Sequence, residues 1–136
     1  MIKPIMKSEI FLHLPSEDAT PDDTATGQDL IDTLYEHEHE CVGMAANMIG
    51  VRKRIIAYLD GGHAHIMYNP RIIEQVNPYE TSEGCLSLAD ERPCTRYRRI
   101  KVEYQDGNFA HRIKNFSGYV AEIIQHEIDH CNGVVI

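Results

Sequence analysis

Apolar positions recur with a helical period near both ends of the chain and cluster as strands between them. Residues 16–26 are polar and finish in a helix-start signal: Thr20 suits a cap, Pro21 the first helical position, and Asp22 and Asp23 the positive end of the helix dipole. Leu30, Ile31, Leu34 and Tyr35 then fall on one stripe, which predicts an amphipathic helix packed on a sheet or core. His37-Glu38-His39-Glu40 follows; the repeat has metal-binding groups, but at a helix end among charges it reads as a solvated terminus. Two apolar runs, Arg54 to Leu59 and His65 to Tyr68, flank Asp60-Gly61-Gly62 and predict a hairpin. Arg99 to Tyr104 and Phe109 to Ile113 flank Gln105-Asp106-Gly107-Asn108 and predict a second. A last helix is expected from a Ser117 cap, burying Val120, Ile123, Ile124 and Ile128 and stopping near Gly133. With no repeat, low-complexity stretch or long linker, the expectation is one α+β domain over residues 1–136. In it, small antiparallel sheets pack around the C-terminal helix, with an amphipathic helix toward the N-terminus.

Composition narrows the function classes. A chain of 136 residues is large enough to bury a real core and too small for a separate regulatory module. No apolar run is long enough to span a bilayer, and the N-terminus lacks the features of a signal peptide, so a cytoplasmic location with no membrane partner is expected. In that reducing setting Cys41, Cys85, Cys94 and Cys131 read as thiols, core residues or ligands rather than disulfides. No pair forms C-x-x-C, which excludes a four-cysteine zinc knuckle. The net charge of −8 works against a phosphate-backbone footprint and hence against nucleic-acid specificity. One basic cluster, Arg92 to Lys101 with Arg96, Arg98 and Arg99, alternates into Ile100, Val102 and Tyr104 and reads as the solvated face of a strand.

The chemistry sits in Gln125-His126-Glu127-Ile128-Asp129-His130. At about 3.6 residues per turn, His126 and His130 stack on one helix face and can each give a ring nitrogen to one metal ion. Glu127 lies about 100° around the helix, within reach of a water at that ion without being a ligand. A bound metal brings the pKa of water toward about 7, which favours hydrolysis of a carbonyl compound. The same run also arises on amphipathic helices whose His and Glu are merely solvated, so a third ligand is needed. Cys85 stands out, because Glu83-Gly84-Cys85-Leu86-Ser87 joins a glycine that permits close backbone approach to a thiol among polar groups.

Glu83 to Ser87 matches the E-G-C-L-S motif of peptide deformylases, and Gln125 to His130 matches their Q-H-E-x-D-H, in the family's order and at similar spacing. Cys41-Val42-Gly43-Met44-Ala45-Ala46-Asn47-Met48 is an altered form of the family's G-x-G-Φ-A-A-x-Q. The chain thus resembles peptide deformylases over nearly its whole length, through the strand-like Arg54 to Leu59 and an Asn69-Pro70 turn. The resemblance implies that Cys85, His126 and His130 hold one divalent metal, ferrous iron being usual in the family with zinc or nickel able to replace it. It implies Glu127 as general base and acid, and the backbone N–H of Leu86 as a donor to the oxyanion. Val42, Gly43, Gly84 and Ile123 would contact the peptide, Glu83 would pair with Arg96, and Asp129 would be an exposed orienter of the ligands. The implied reaction removes the formyl group from the N-formylmethionine of nascent peptides and releases formate. Transient contact with the ribosome and a monomer or homodimer would accompany it. The alternatives are a related metalloprotein with altered acyl or peptide specificity, and a non-catalytic binder of protein N-termini. An H-E-x-x-H endopeptidase is disfavoured, since its third ligand would lie downstream, where only Cys131 to Ile136 remain.

Three departures qualify the resemblance. Met48 occupies the position of the family's glutamine, and a thioether cannot donate a hydrogen bond; losing one such donor costs roughly 10²–10³ in rate. Neighbouring Asn47 carries an amide but, on a strand, points to the opposite face. Cys41 replaces the first glycine and reads as a small apolar residue rather than a redox sensor. Tyr119 and Glu122 share the helix face of His126, placing a carboxylate at the methionine pocket unless it turns to solvent or pairs with a base. The chain's end at Ile136 predicts no C-terminal ribosome-docking element.

Overall fold

Thr20 starts the first long helix as its side chain predicts. In the computed structural model, which describes residues 1–135, Thr20 Oγ1 accepts from Asp22 N at 3.2 Å and Asp23 Oδ2 accepts from Thr20 N at 2.8 Å. This capping box tightens Pro21–Asp23 into a 3₁₀ turn and feeds α2, Thr24–Glu36; a short α1 at Glu9–Leu12 precedes it. Leu30 and Leu34 are fully buried, whereas Tyr35, expected on the same stripe, is at the surface and accepts from Ala64 N at 2.8 Å. The His37 to Glu40 stretch is a surface turn closed by a 2.7 Å contact between His37 Nδ1 and Glu40 Oε1.

Five strands follow: β1 Gly43–Ala45, β2 Ile55–Asp60, β3 His63–Glu83, β4 Arg92–Gln105 and β5 His111–Ser117. All neighbours are antiparallel, and the order β1-β2-β3-β4-β5 makes one continuous sheet of what was expected as small separate sheets. Gly61 and Gly62 close the β2–β3 hairpin with φ of 61° and 81°, the left-handed pair that a two-residue turn demands. Asn69-Pro70, expected as a turn, is instead a bulge inside β3. Asn69 takes φ 55°, the register slips between Tyr68 and Arg71, and its side chain bonds Ala19 N at 2.7 Å and Gln105 Oε1 at 2.7 Å. The strand therefore runs on to Glu83.

The continuous apolar run of β2 reflects burial on both faces. Ile56 and Tyr58 pack with Met67, Ile100, Val102, Ile124 and Ile128 under the last helix, α3, Gly118–Cys131. Ile55 and Ala57 point the other way, onto Leu30, Leu34, Met44 and Tyr68 under α2. Each fully buried isoleucine contributes roughly 1.5–3 kcal/mol. Ser117 is the N-cap residue of α3, although its side chain makes no capping bond. At the other end Gly133 N donates to His130 O (3.1 Å) and Val134 N to Asp129 O (2.9 Å), a Schellman motif on Gly133 at φ 74°. No helix among the described residues is long and apolar enough to cross a membrane.

Candidate active site

Gln125 fixes the rotation of α3. Its Oε1 accepts from Tyr97 N and its Nε2 donates to Tyr97 O, both at 2.8 Å, so the helix is pinned to the backbone of β4 as an extra strand residue would be. That rotation turns His126 and His130 toward the loop after β3, which carries Cys85. His130 Nε2 lies 3.5 Å from Cys85 Sγ, and one donor atom from each of Cys85, His126 and His130 falls within 4.8 Å of the others. Metal–sulfur and metal–nitrogen bonds of about 2.3 and 2.1 Å at tetrahedral angles require S and N about 3.6 Å apart, so the donors fit one ion.

The supporting residues come from β3, β4 and α3 itself. Glu83, last in β3, has Oε1 2.8 Å from His126 Nδ1, which leaves Nε2 of that ring facing the cluster. Arg96 donates to Glu83 through Nε at 3.1 Å and Nη2 at 2.8 Å, and to Asp129 through Nη1 at 2.6 Å. The Glu83–Arg96 pair is as expected. The placing of Arg96 on a solvated face is overturned: it is 4% exposed and neutralised by two carboxylates. Asp129, expected as an exposed orienter of the ligands, is half-buried and bonds Arg96 rather than a histidine. Burial works against the Glu83 carboxylate, but its bonds from His126 and Arg96 win and hold it well below the usual range.

Titration follows the same logic. Burial, then the charges of His126 and Arg96, lower His130 to about 3, so its ring is neutral with a lone pair to give. Burial disfavours the charged form of His126, yet Glu127, Cys85 and Glu83 outweigh it and raise His126 to about 10. The groups that hold a proton there would equally attract a divalent cation in its place. Burial raises Glu127 to about 7, and its Oε1 has no hydrogen-bond partner. A carboxyl poised near neutrality and otherwise unengaged is suited to proton transfer.

These groups open into a cleft of about 490 Å³. Glu127 and His126 form part of its lining, Cys85 and Leu86 one wall with Gly84, and Val42 and Gly43 the facing wall. A Cβ on Gly43 would stand 2.6 Å from Ile123 Cγ2 and 2.9 Å from Glu127 Oε2, so only glycine lets β1 pass over the glutamate. Leu59 N donates to Val42 O at 2.8 Å, which puts the adjacent Gly43–Tyr58 pair at a non-hydrogen-bonded position of the ladder. The N–H and C=O of Gly43 therefore face the open edge of β1. Cys41 Sγ donates to that carbonyl at 3.0 Å, and burial raises the thiol to about 12.

Met48 lines the cleft, but it and Asn47 lie on a 3₁₀ turn, Ala46–Ile49, rather than on the strand expected for them. Asn47 is buried and donates from Nδ2 to His130 O at 3.0 Å; it tethers the ligand helix and does not reach the cleft as a substitute donor. Tyr119 stands 65% exposed at the rim and Ile123 is buried within the lining. Glu122 neither turns to solvent nor meets a base: it accepts from Tyr79 Oη at 3.1 Å, and the adjoining Glu83 carboxylate, then burial, raise its pKa. The Tyr79–Glu122, Asn47–His130 and Glu83–His126 contacts escaped the sequence reading because each joins residues far apart in the chain.

Comparison with known proteins agrees with this geometry. The sequence profile of the family described as Polypeptide deformylase matches residues 3–136. A peptide deformylase of Clostridium beijerinckii is 49% identical over 136 residues, spanning the whole of both chains. One from Thermus thermophilus is 34% identical over 128 residues, covering 79% of this chain and 65% of its own. Among solved structures, a class I type b peptide deformylase from Acinetobacter baumannii with Met-Ala-Ser bound superposes with a TM-score of 0.89 at 26% identity, covering 99% of this chain and 97% of that one. Peptide deformylase from Thermotoga maritima gives 0.89 at 29% identity, with 99% and 95% covered.

Proposed function

The chain belongs to the polypeptide deformylase family and is a metal-dependent hydrolase that removes the formyl group from nascent peptides; from that premise we propose that Cys85, His126 and His130 hold its metal and Glu127 moves its protons. The observation that carries this reading is the 3.5 Å approach of Cys85 Sγ to His130 Nε2 beside an unpartnered, buried Glu127 carboxyl. Ferrous iron is the ion we assign, and the chain works as one domain in the cytoplasm, meeting peptides as they leave the ribosome. A divalent ion at this site supplies Lewis acidity toward the formyl carbonyl and toward water.

The remaining work falls to this chain's own groups. An N-formylmethionyl peptide adds in extended form along the open edge of β1, using the edge-facing N–H of Gly43 and the second lone pair of its carbonyl, as strand-adding peptides do. Its methionine side chain enters the part of the cleft lined by Tyr119, Glu122 and Ile123. Glu127 takes a proton from the attacking water at a carboxylate oxygen and returns it to the departing amine nitrogen. The Leu86 N–H donates to the oxyanion of the tetrahedral intermediate. Glu83 keeps the His126 ring oriented throughout, and Arg96 keeps Glu83 ionised.

Formate release from a short formyl-Met peptide, measured anaerobically with the iron-loaded protein beside Glu127→Gln, tests the assignment. The variant is expected to keep its metal and lose at least about 10² in kcat. Equal turnover by the two proteins would remove Glu127 from the mechanism.

A further inference from the structure

The loop that carries Cys85 is held from outside the site. Lys7 Nζ donates to the carbonyl oxygen of Leu86, and Glu9 pairs with Arg92 where β4 begins, so two side chains two residues apart grip both ends of the segment between β3 and β4. The stretch bearing them is itself anchored: Met6 N donates to Met48 O at 2.7 Å, and Ile5 and Met6 pack on the same apolar cluster as Cys85 and Leu86. Met6 also reaches toward Gly50, at the end of the turn bearing Met48. Residues 5–9 thus touch both the 46–50 turn, whose Met48 lines the cleft, and the cysteine loop. Nothing in the hydrolytic chemistry calls for an ammonium on the Leu86 carbonyl.

We propose that residues 5–9 form a strap across the cysteine loop, with Lys7 as a positioning residue that keeps the Cys85 thiolate within bonding distance of the metal. This rests on the assignment of Cys85 as a ligand. The loop between Glu83 and Arg92 contains no helix or strand of its own, and within it Leu88 N donates to Cys85 O at 3.0 Å. Without the strap, that turn and the apolar contacts of Cys85 and Leu86 alone would hold the sulfur in place. Release of the metal requires the Cys85 bond to open, so a looser loop raises the rate of release before it changes the fold. Arginine at position 7 can still donate to the Leu86 carbonyl, whereas methionine matches the length of the lysine stem and cannot donate.

The test uses the full chain loaded with cobalt(II), following transfer of the ion to a chelator and the near-ultraviolet thiolate-to-cobalt absorption. Lys7→Met is expected to release cobalt roughly three- to tenfold faster, the range of one hydrogen bond, and to weaken the thiolate band. Its metal-free melting temperature should stay within about 2 °C of the parent. Lys7→Arg should restore both the release rate and the band. Glu9→Gln should accelerate release in the same direction. Parental release by Lys7→Met, or equal acceleration in Lys7→Met and Lys7→Arg, would overturn the strap while leaving the ligand assignment intact. A parent chain that takes up cobalt without any thiolate band would overturn the ligand assignment and the strap with it.

Discussion

Met48 poses the sharpest question at the scale of single residues. Its thioether lines the cleft at the position where the family motif has glutamine, and Asn47 beside it is committed to His130 O. In the proposed mechanism this leaves oxyanion stabilisation to the Leu86 N–H and the metal. Met48→Gln adds a donor of similar length, so kcat for a formyl-Met peptide is expected to rise about tenfold or more. Met48 is only 1% exposed, and an amide there has no partner in the substrate-free cleft, so the same variant should lose about 1–2 kcal/mol of stability by denaturant titration. A variant with unchanged kcat would mean that residue 48 does not address the oxyanion. Cys41 presents the opposite case. Burial, with the charge of Glu127 added, raises its thiol to about 12, so almost none is thiolate at neutral pH. Mass spectrometry after iodoacetamide treatment at pH 8 should find Cys41 labelled at least about 10²-fold more slowly than a free thiol; fast labelling would restore redox sensing as a reading.

At the scale of elements, α3 carries most of the site, and its C-terminal stop is specified twice. Gly133 sits at φ 74°, and a Cβ there would stand 2.5 Å from His13 O. Gly133→Ala is expected to cost about 2–4 kcal/mol, from strain and from the clash together, read as a lowered denaturation midpoint of the metal-free protein. A neutral result would show that the chain after α3 can shift without harm. That stop was legible in the sequence, as were the Thr20 cap, the Gly61-Gly62 turn and the two histidines with Glu127, because each is written in local spacing. Asn69-Pro70 misled because a bulge and a turn use the same residue chemistry, and only the partner strand decides between them. Asn47 misled because a short 3₁₀ turn leaves no periodicity to read. The contacts that orient the His126 ring and tether the His130 backbone, from Glu83 and Asn47, span 43 and 83 residues, and no local pattern encodes them. Cys85 was found through its neighbours and the family motif; its distance from His130 is a property of the fold.

For the whole molecule, charge is distributed unevenly with respect to the cleft. Glu40, Glu83, Glu91, Glu122 and Glu127 all line it, and among the described residues no lysine or arginine does. Arg96 is spent on Glu83 and Asp129, Arg92 on Glu9, and Lys7 on the Leu86 carbonyl, so nearby cations leave the rim carboxylates Glu40 and Glu91 uncompensated apart from the His37 contact of Glu40. The chain as a whole carries −8, so the long-range field has the same sign as the local one. In the proposed binding mode, a peptide leaving the cleft along the edge of β1 would pass these carboxylates with its second and third side chains. Formyl-Met peptides with lysine at those positions should therefore be processed with kcat/KM about five- to tenfold above their glutamate counterparts at low salt, chiefly through KM. Raising ionic strength to about 0.5 M should shrink the difference, because rim charges are screened there whereas contacts inside the cleft are not. Glu40→Gln with Glu91→Gln should remove most of it even at low salt. Steady-state kinetics on the two peptides at two salt concentrations separates the cases: a preference that survives both salt and the double variant would come from shape or from Glu122 inside the cleft rather than from the charged rim.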